Sequence, residues 1–323
     1  MTDLNTYFDD IELAEILALR SRLENPDAGV RRIALIELAD LEDPEGLGWL
    51  TDRLANDPAS EVRAQAATLL EAWEEVEVVE ALCQALIDPQ ALVREAAAQS
   101  LSLLKTAEAG RVVLPWTTHA DASVRIAAFR ALRELRLEQA APAALLALKD
   151  EDASVRREAV GVLGWLKRTE ALQALAALAS QDPDSEVRRA ATGALGLTHN
   201  ADVLPALRQA LQDEVWQVRE EAATTLGKIG QPEAGAALIE ALNDEYWQVR
   251  LRATRSLGRL RHSDALWPLV ETLTHRISNV RKEAALALGE LGDSRARPAL
   301  LQLEHDGDPE VRKAVRIALA QLP

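Results

Sequence analysis

The chain has 323 residues, a formal net charge of −16, 48% hydrophobic and 3% aromatic residues, and a single cysteine, Cys83. One cysteine excludes an internal disulfide and a four-thiolate metal site, and no apolar run approaches the ~20 residues that span a bilayer. Residues 1–110 carry 23 acidic against 8 basic residues, a local field that repels phosphate, disfavours nucleic acid and favours basic protein segments.

The opening stretch, MTDLNTYFDDIELAEILALRSRL, is acidic and lacks the basic segment and apolar run of a secretion signal, which predicts a cytoplasmic protein. Residues 1–24 are predicted to form a helical cap with the first outer helix. From Val30 onward a Val-Arg pair recurs at Val62, Val93, Val124, Val155, Val187, Val218, Val249, Val280 and Val311, in steps of 31 or 32 residues. A unit that short cannot bury its own apolar face, so residues 25–323 read as one continuous array of about ten stacked repeats. Alanine and leucine dominate and β-branched runs are absent, which predicts helices throughout. In the repeat from Asp213 to Asp244, Ala222, Ala223, Leu226 and Ile229 follow Val218-Arg219 at helical spacing, with Gly227 loosening the helix end. Ala237, Leu238, Ala241 and Leu242 predict a shorter second helix, so each repeat is a helical hairpin.

Aspartate stands three residues before the valine at Asp27, Asp121, Asp152, Asp184 and Asp308, where its carboxylate can accept the free backbone donors of a first helical turn. Pro309 follows at a position where a missing N–H costs nothing, and Glu61, Glu186 and Glu310 suit the helix dipole. A second aspartate column lies six residues before the repeated arginine, in the pairs Asp57 and Arg63, Asp88 and Arg94, Asp182 and Arg188, Asp213 and Arg219, and Asp244 and Arg250, with Asp150 and Asp306 in the same register. Asn25, His119 and His275 take its place in three repeats.

That pairing resembles the Asp and Arg ladder of HEAT repeats. The motif D-x-x-W-x-V-R-x-x-A-A-x-x-L-G, at 213–227 and 244–258, is most similar to the short bacterial type known as HEAT-like repeats of phycobilisome lyases. The resemblance covers roughly residues 15 to 322 and implies an all-α fold, an α-solenoid of about ten hairpins in a right-handed superhelix. It further implies that the carboxylate closes the turn between two helices and that the arginine bridges to a neighbouring unit. The name labels a repeat type, so it speaks to fold far more than to function. Asn25 can still close the turn, whereas each histidine is either a neutral replacement for one rung or a pH-sensitive contact.

Some proteins of this build are enzymes. Deoxyhypusine hydroxylase carries iron on His-Glu pairs, but the five histidines here precede Ala120, Asn200, Ser263, Arg276 and Asp306. No phosphate loop or nucleophile constellation stands out, so no catalytic residue, metal or cofactor is assigned. Alkylated-base DNA glycosylases need a basic concave face, which the acidic first third argues against.

The binding candidates are departures from the repeat. Glu71, Glu74 and Glu75, with Glu77 and Glu80 around Trp73, can receive a basic peptide or serve as a solvated connection. Cys83 reads as a small hydrophobe. In HEAT arrays the helices that begin at Val-Arg line the concave face, which would put Arg130, Gly161, Gly193 and Arg255 in one column there. The two glycines fit either close packing or a closely approaching partner. Trp216 and Trp247, with Tyr246, occupy equivalent positions suited either to interface anchoring or to packing of the turn. Arg252, Arg255, Arg259 and Arg261 form a basic cluster with Arg250. Three of its guanidinium groups either converge on one anion or pair with neighbouring carboxylates such as Glu220, Glu221 and Glu283.

The expected function is a non-catalytic scaffold that binds a protein partner along the concave face, basic toward the N-terminal third and acidic toward the arginine cluster. The alternatives are an accessory subunit for prosthetic-group attachment or assembly on a client, as the lyase resemblance implies, and a nucleic-acid repair protein. No membrane association is expected.

Overall fold

The computed structural model describes residues 14–197 and 200–323, and every regular element among them is helical. In chain order the helices alternate between a short type and one that carries the Val-Arg pair. The first run is α1 (Ala14–Leu23), α2 (Ala28–Ala39), α3 (Leu47–Asn56), α4 (Ser60–Leu69), α5 (Val76–Ala85), α6 (Ala91–Leu101), α7 (Ala107–Val113), α8 (Ala122–Leu132), α9 (Ala141–Ala147) and α10 (Ala153–Leu166). The second is α11 (Leu172–Gln181), α12 (Ser185–Leu195), α13 (Leu204–Ala210), α14 (Trp216–Ile229), α15 (Gly235–Ala241), α16 (Trp247–Leu260), α17 (Leu266–Thr272), α18 (Ser278–Leu291), α19 (Arg297–Gln302) and α20 (Pro309–Gln321). Two compact units meet in sequence at Val162 and Leu163, inside α10.

Within each unit the Val-Arg helices pack side by side, α2 on α4 on α6 on α8 in the first and α12 on α14 on α16 on α18 on α20 in the second. The short helices cover them from the other side. The repeated valine is the anchor: from Val62 to Val311 it is no more than 1% exposed at every repeat. Ala222, Ala223, Leu226 and Ile229 are all buried, as the helical spacing requires.

The helix starts follow the aspartates. Asp27 accepts hydrogen bonds from the backbone of Gly29 and Val30, Asp121 from Ser123, Asp152 from Ser154 and Val155, Asp184 from Glu186 and Val187, and Asp308 from Glu310. One detail differs from the sequence expectation. Gly227 does not loosen the end of its helix, because α14 continues to Ile229 and stops at Gly230, in left-handed backbone with φ 76°. Gly227 instead allows close helix approach: a Cβ there would lie 2.6 Å from Ser256 Cβ and 3.0 Å from its Cα. Gly258 plays the same part against Ala287, whose Cα would be 2.7 Å from an added Cβ. Among the described residues, no helix is long and apolar enough to cross a membrane.

Candidate partner-binding surface

Each aspartate of the second column sits where α-helix entry meets the turn before it. Its Oδ1 accepts from the backbone N–H two residues on, as in Asp57 with Ala59, Asp88 with Gln90, Asp213 with Val215 and Asp244 with Tyr246, at 2.8–2.9 Å. The arginine of the preceding repeat then donates Nε and Nη2 to the two carboxylate oxygens. This bidentate contact joins Arg31 to Asp57, Arg63 to Asp88, Arg125 to Asp150, Arg188 to Asp213, Arg219 to Asp244 and Arg281 to Asp306, at 2.6–3.0 Å. In these same arginines Nη1 donates backward to the main-chain carbonyl six residues earlier, for example Arg63 to Asp57 and Arg188 to Asp182. One guanidinium therefore clamps two successive turns, with the planar fork matched to the carboxylate. Burial by itself would raise the Asp57 carboxyl, but Arg31 and the Ala59 N–H outweigh it and hold it below its ordinary value. Asp88 and Asp150 show the same balance, and Asp306 is lowered chiefly by its bond from Arg281.

At Asn25, His119 and His275 the turn is still closed. Asn25 Oδ1 accepts from Asp27 at 2.9 Å, and the Nδ1 atoms of His119 and His275 accept from Asp121 and Ile277, each at 3.1 Å. A neutral imidazole thus reproduces the aspartate's local bond but offers nothing to the guanidinium behind it. The arginines so affected are Arg94 and Arg250, neither of which has a carboxylate within ion-pair distance among the described residues. Arg94 keeps the usual backward bonds to the carbonyls of Asp88 and Pro89. At Arg250 the guanidinium has turned: Nε, not Nη1, donates to the carbonyl of Asp244.

The arginine cluster divides sharply. Arg252 Nε meets Glu220 at 2.9 Å, and Arg255 makes a bidentate pair with the buried Glu283 at 2.7 and 2.8 Å. Arg130 reaches Glu158 at 3.3 Å through the same one-repeat offset, and Arg133 and Arg157 approach that buried carboxylate as well. Arg259 and Arg261 are exposed and make no ion pair among the described residues. Trp216 stacks on Tyr246 of the next repeat, with ring centroids 5.4 Å apart, and the Arg219 guanidinium lies over the same tyrosine ring. Trp247 lines an open cavity of about 470 Å³ together with Glu245, Tyr246, Gln248, Arg250, His275 and Arg276.

In the acidic stretch, Glu74 is structural: its carboxylate accepts from the backbone of Lys105 and Thr106 at 2.8 Å each. Burial would raise this carboxyl, but those bonds and the Thr106 side chain hold it low. Glu71, Glu75, Glu77 and Glu80 are exposed and unpaired among the described residues. Cys83 is fully buried, and burial, aided by Glu80, pushes its thiol up to about 12, so it stays protonated. The two glycines of the Arg130 column are filled by neighbours. An added Cβ would lie 2.9 Å from Arg133 Cδ at Gly161 and 3.0 Å from Glu221 Oε1 at Gly193.

Hairpins laced by an arginine and carboxylate ladder define an α-solenoid, one whose exposed charge lies where the ladder does not use it. The chain belongs to the HEAT repeats family, which matches it over residues 16–71, 47–117, 110–196, 177–246 and 235–320. Among solved structures it is similar to an engineered protein, at 22% identity over 96% of this chain and 99% of that one, with a TM-score of 0.53. YibA of Escherichia coli aligns at 21% identity over 83% and 98% of the two chains, with a TM-score of 0.61. Kap95 in its complex with Nup1 aligns at 15% identity over 95% of this chain and 50% of Kap95, with a TM-score of 0.68, so this chain spans about half the length of Kap95. At such identities the likeness is one of fold. No curated protein matches the chain.

Proposed function

We propose that this protein is a non-catalytic, cytoplasmic scaffold that binds a partner protein through the charged surfaces left over once the ladder is formed. The observation that carries this reading is the exposed carboxylates of Glu71, Glu75, Glu77 and Glu80, unpaired among the described residues, in the same stretch as a Glu74 that already accepts from the backbone of Lys105 and Thr106. A preformed helical surface loses little conformational freedom on binding, and a patch of one sign steers a partner of the other. The same fold holds a protein in the Kap95:Nup1 complex, which supports the reading.

The test is affinity capture at low and high salt with the native chain and with Glu71→Lys, Glu75→Lys and Glu77→Lys combined. A specific, basic, salt-sensitive client lost in the variant is the expected outcome. Recovery of a client bearing a pigment or iron would favour an accessory role in prosthetic-group assembly, and a nucleic-acid mobility shift would overturn the scaffold reading.

A further inference from the structure

The interrupted rung at His275 creates a feature that no complete rung has. In α14 and its neighbour, Arg219 finds the Asp244 carboxylate at 2.6 and 3.0 Å. One repeat later the carboxylate is replaced by an imidazole, and the two Nη atoms of Arg250 have no acceptor among the described residues. The space beside them is open. Arg250 and His275 together line the cavity of about 470 Å³ and a second of about 240 Å³ that also touches Pro268 and Thr272. Gln248 also lines the first cavity, and its Oε1 is buried without a hydrogen-bond partner.

We propose that Arg250, with His275 and Gln248, forms a docking site for an aspartate or glutamate side chain of a partner's extended segment, which supplies in trans the carboxylate that the ladder lacks. The chemistry of the occupant is set by the complete rungs, where the same arginine position takes a carboxylate with both oxygens. His275 does not compete for it: Nδ1 is occupied by the Ile277 N–H, so the neutral ring carries its proton on Nε2 and is a donor. Burial and the nearby Arg250 keep this histidine in its neutral form, its pKa lying below the ordinary 6.5. Tyr246, 38% exposed, and Trp247 give the residues flanking the acidic one an aromatic wall. The interruption at Arg94 is less suited, because Asp121 already acts on that guanidinium electrostatically and His119 is stacked on Trp116.

This site deepens the scaffold reading and rests on it. The experiment is calorimetric titration of the full chain with a capped pentapeptide bearing a central aspartate, its asparagine counterpart, and inorganic phosphate. The aspartyl peptide should bind at least about tenfold more tightly than the asparaginyl one, the ratio expected for a charge-assisted contact. Binding should vanish in His275→Asp, where the chain fills its own rung, and fall about tenfold in Arg250→Gln. Equal binding of the two peptides, undiminished binding in His275→Asp, or phosphate binding more tightly than the peptide would overturn the site. A chain that still captures its basic client but ignores the acidic peptide loses this site alone. One that captures no client loses the wider reading.

Discussion

Two adjacent stretches, the rung from Arg219 to Asp244 and the interrupted one from Arg250 to His275, share the motif W-Q-V-R and nearly the same backbone, yet treat their arginine oppositely. In the first, Arg219 is 8% exposed and satisfied at both ends. In the second, one histidine keeps the turn and releases the guanidinium. The contrast separates two duties of the aspartate, turn closure and inter-repeat bridging, and shows that a repeat protein can drop the second while keeping the first.

Breaking a complete rung should have the largest effect. Asp57→Ala leaves Arg31, whose side chain is 6% exposed, facing a buried site without a carboxylate and also opens the turn at Ala59. A loss of about 3–5 kcal/mol is expected in urea unfolding, the range for breaking a buried ion pair. Acid should reveal the same asymmetry. Asp57, Asp88, Asp150 and Asp306 are held below the ordinary 3.8, so the folded state keeps them charged to lower pH than the unfolded chain does. Their contribution is present above that pH and is lost as pH falls through and below it. Melting curves between pH 5 and pH 2, taken as an order-of-magnitude window from the carboxylate range, should therefore fall steeply in the native chain and less steeply in Asp88→Asn.

Filling the interruption should move stability the other way. His275→Asp gives Arg250 its missing partner in a half-buried setting, for an expected gain of about 1 kcal/mol by urea unfolding. His119→Asp should gain less, about 0.5 kcal/mol, because Asp121 already compensates Arg94 in part. A larger gain at His119 than at His275 would mean that the two interruptions are not ordered as their surroundings suggest.

The fold was nearly all legible in the sequence, because the valine period, the capping aspartates and the Asp and Arg columns are each local signals with one physical cause. The aspartate at 57 and the arginine at 63 mark the two columns, and the resemblance implied a bridge from the arginine to a neighbouring unit; which neighbour it meets, Arg31 with Asp57 and Arg63 with Asp88, is read from the stacked helices. For the arginine cluster the sequence left two readings, one anion or neighbouring carboxylates, and Arg252 and Arg255 take the second, met by Glu220 of the preceding repeat and Glu283 of the following one. Gly227 read as a helix end because its use lies in a neighbouring helix rather than its own. The released guanidinium of Arg250 had a readable sign, a histidine in an aspartate column, whose consequence falls on the arginine 25 residues earlier and not on the histidine itself.

The most direct test follows the two arginines together. Nε–Hε resonances of Arg219 and Arg250 can be recorded while the chain is titrated with N-acetyl-aspartyl amide. The Arg250 signal should shift to saturation while Arg219 stays fixed, and neither should move in His275→Asp. A shift of Arg219 equal to that of Arg250, or an Arg250 signal that does not respond, would contradict the claim that a released rung is a carboxylate site.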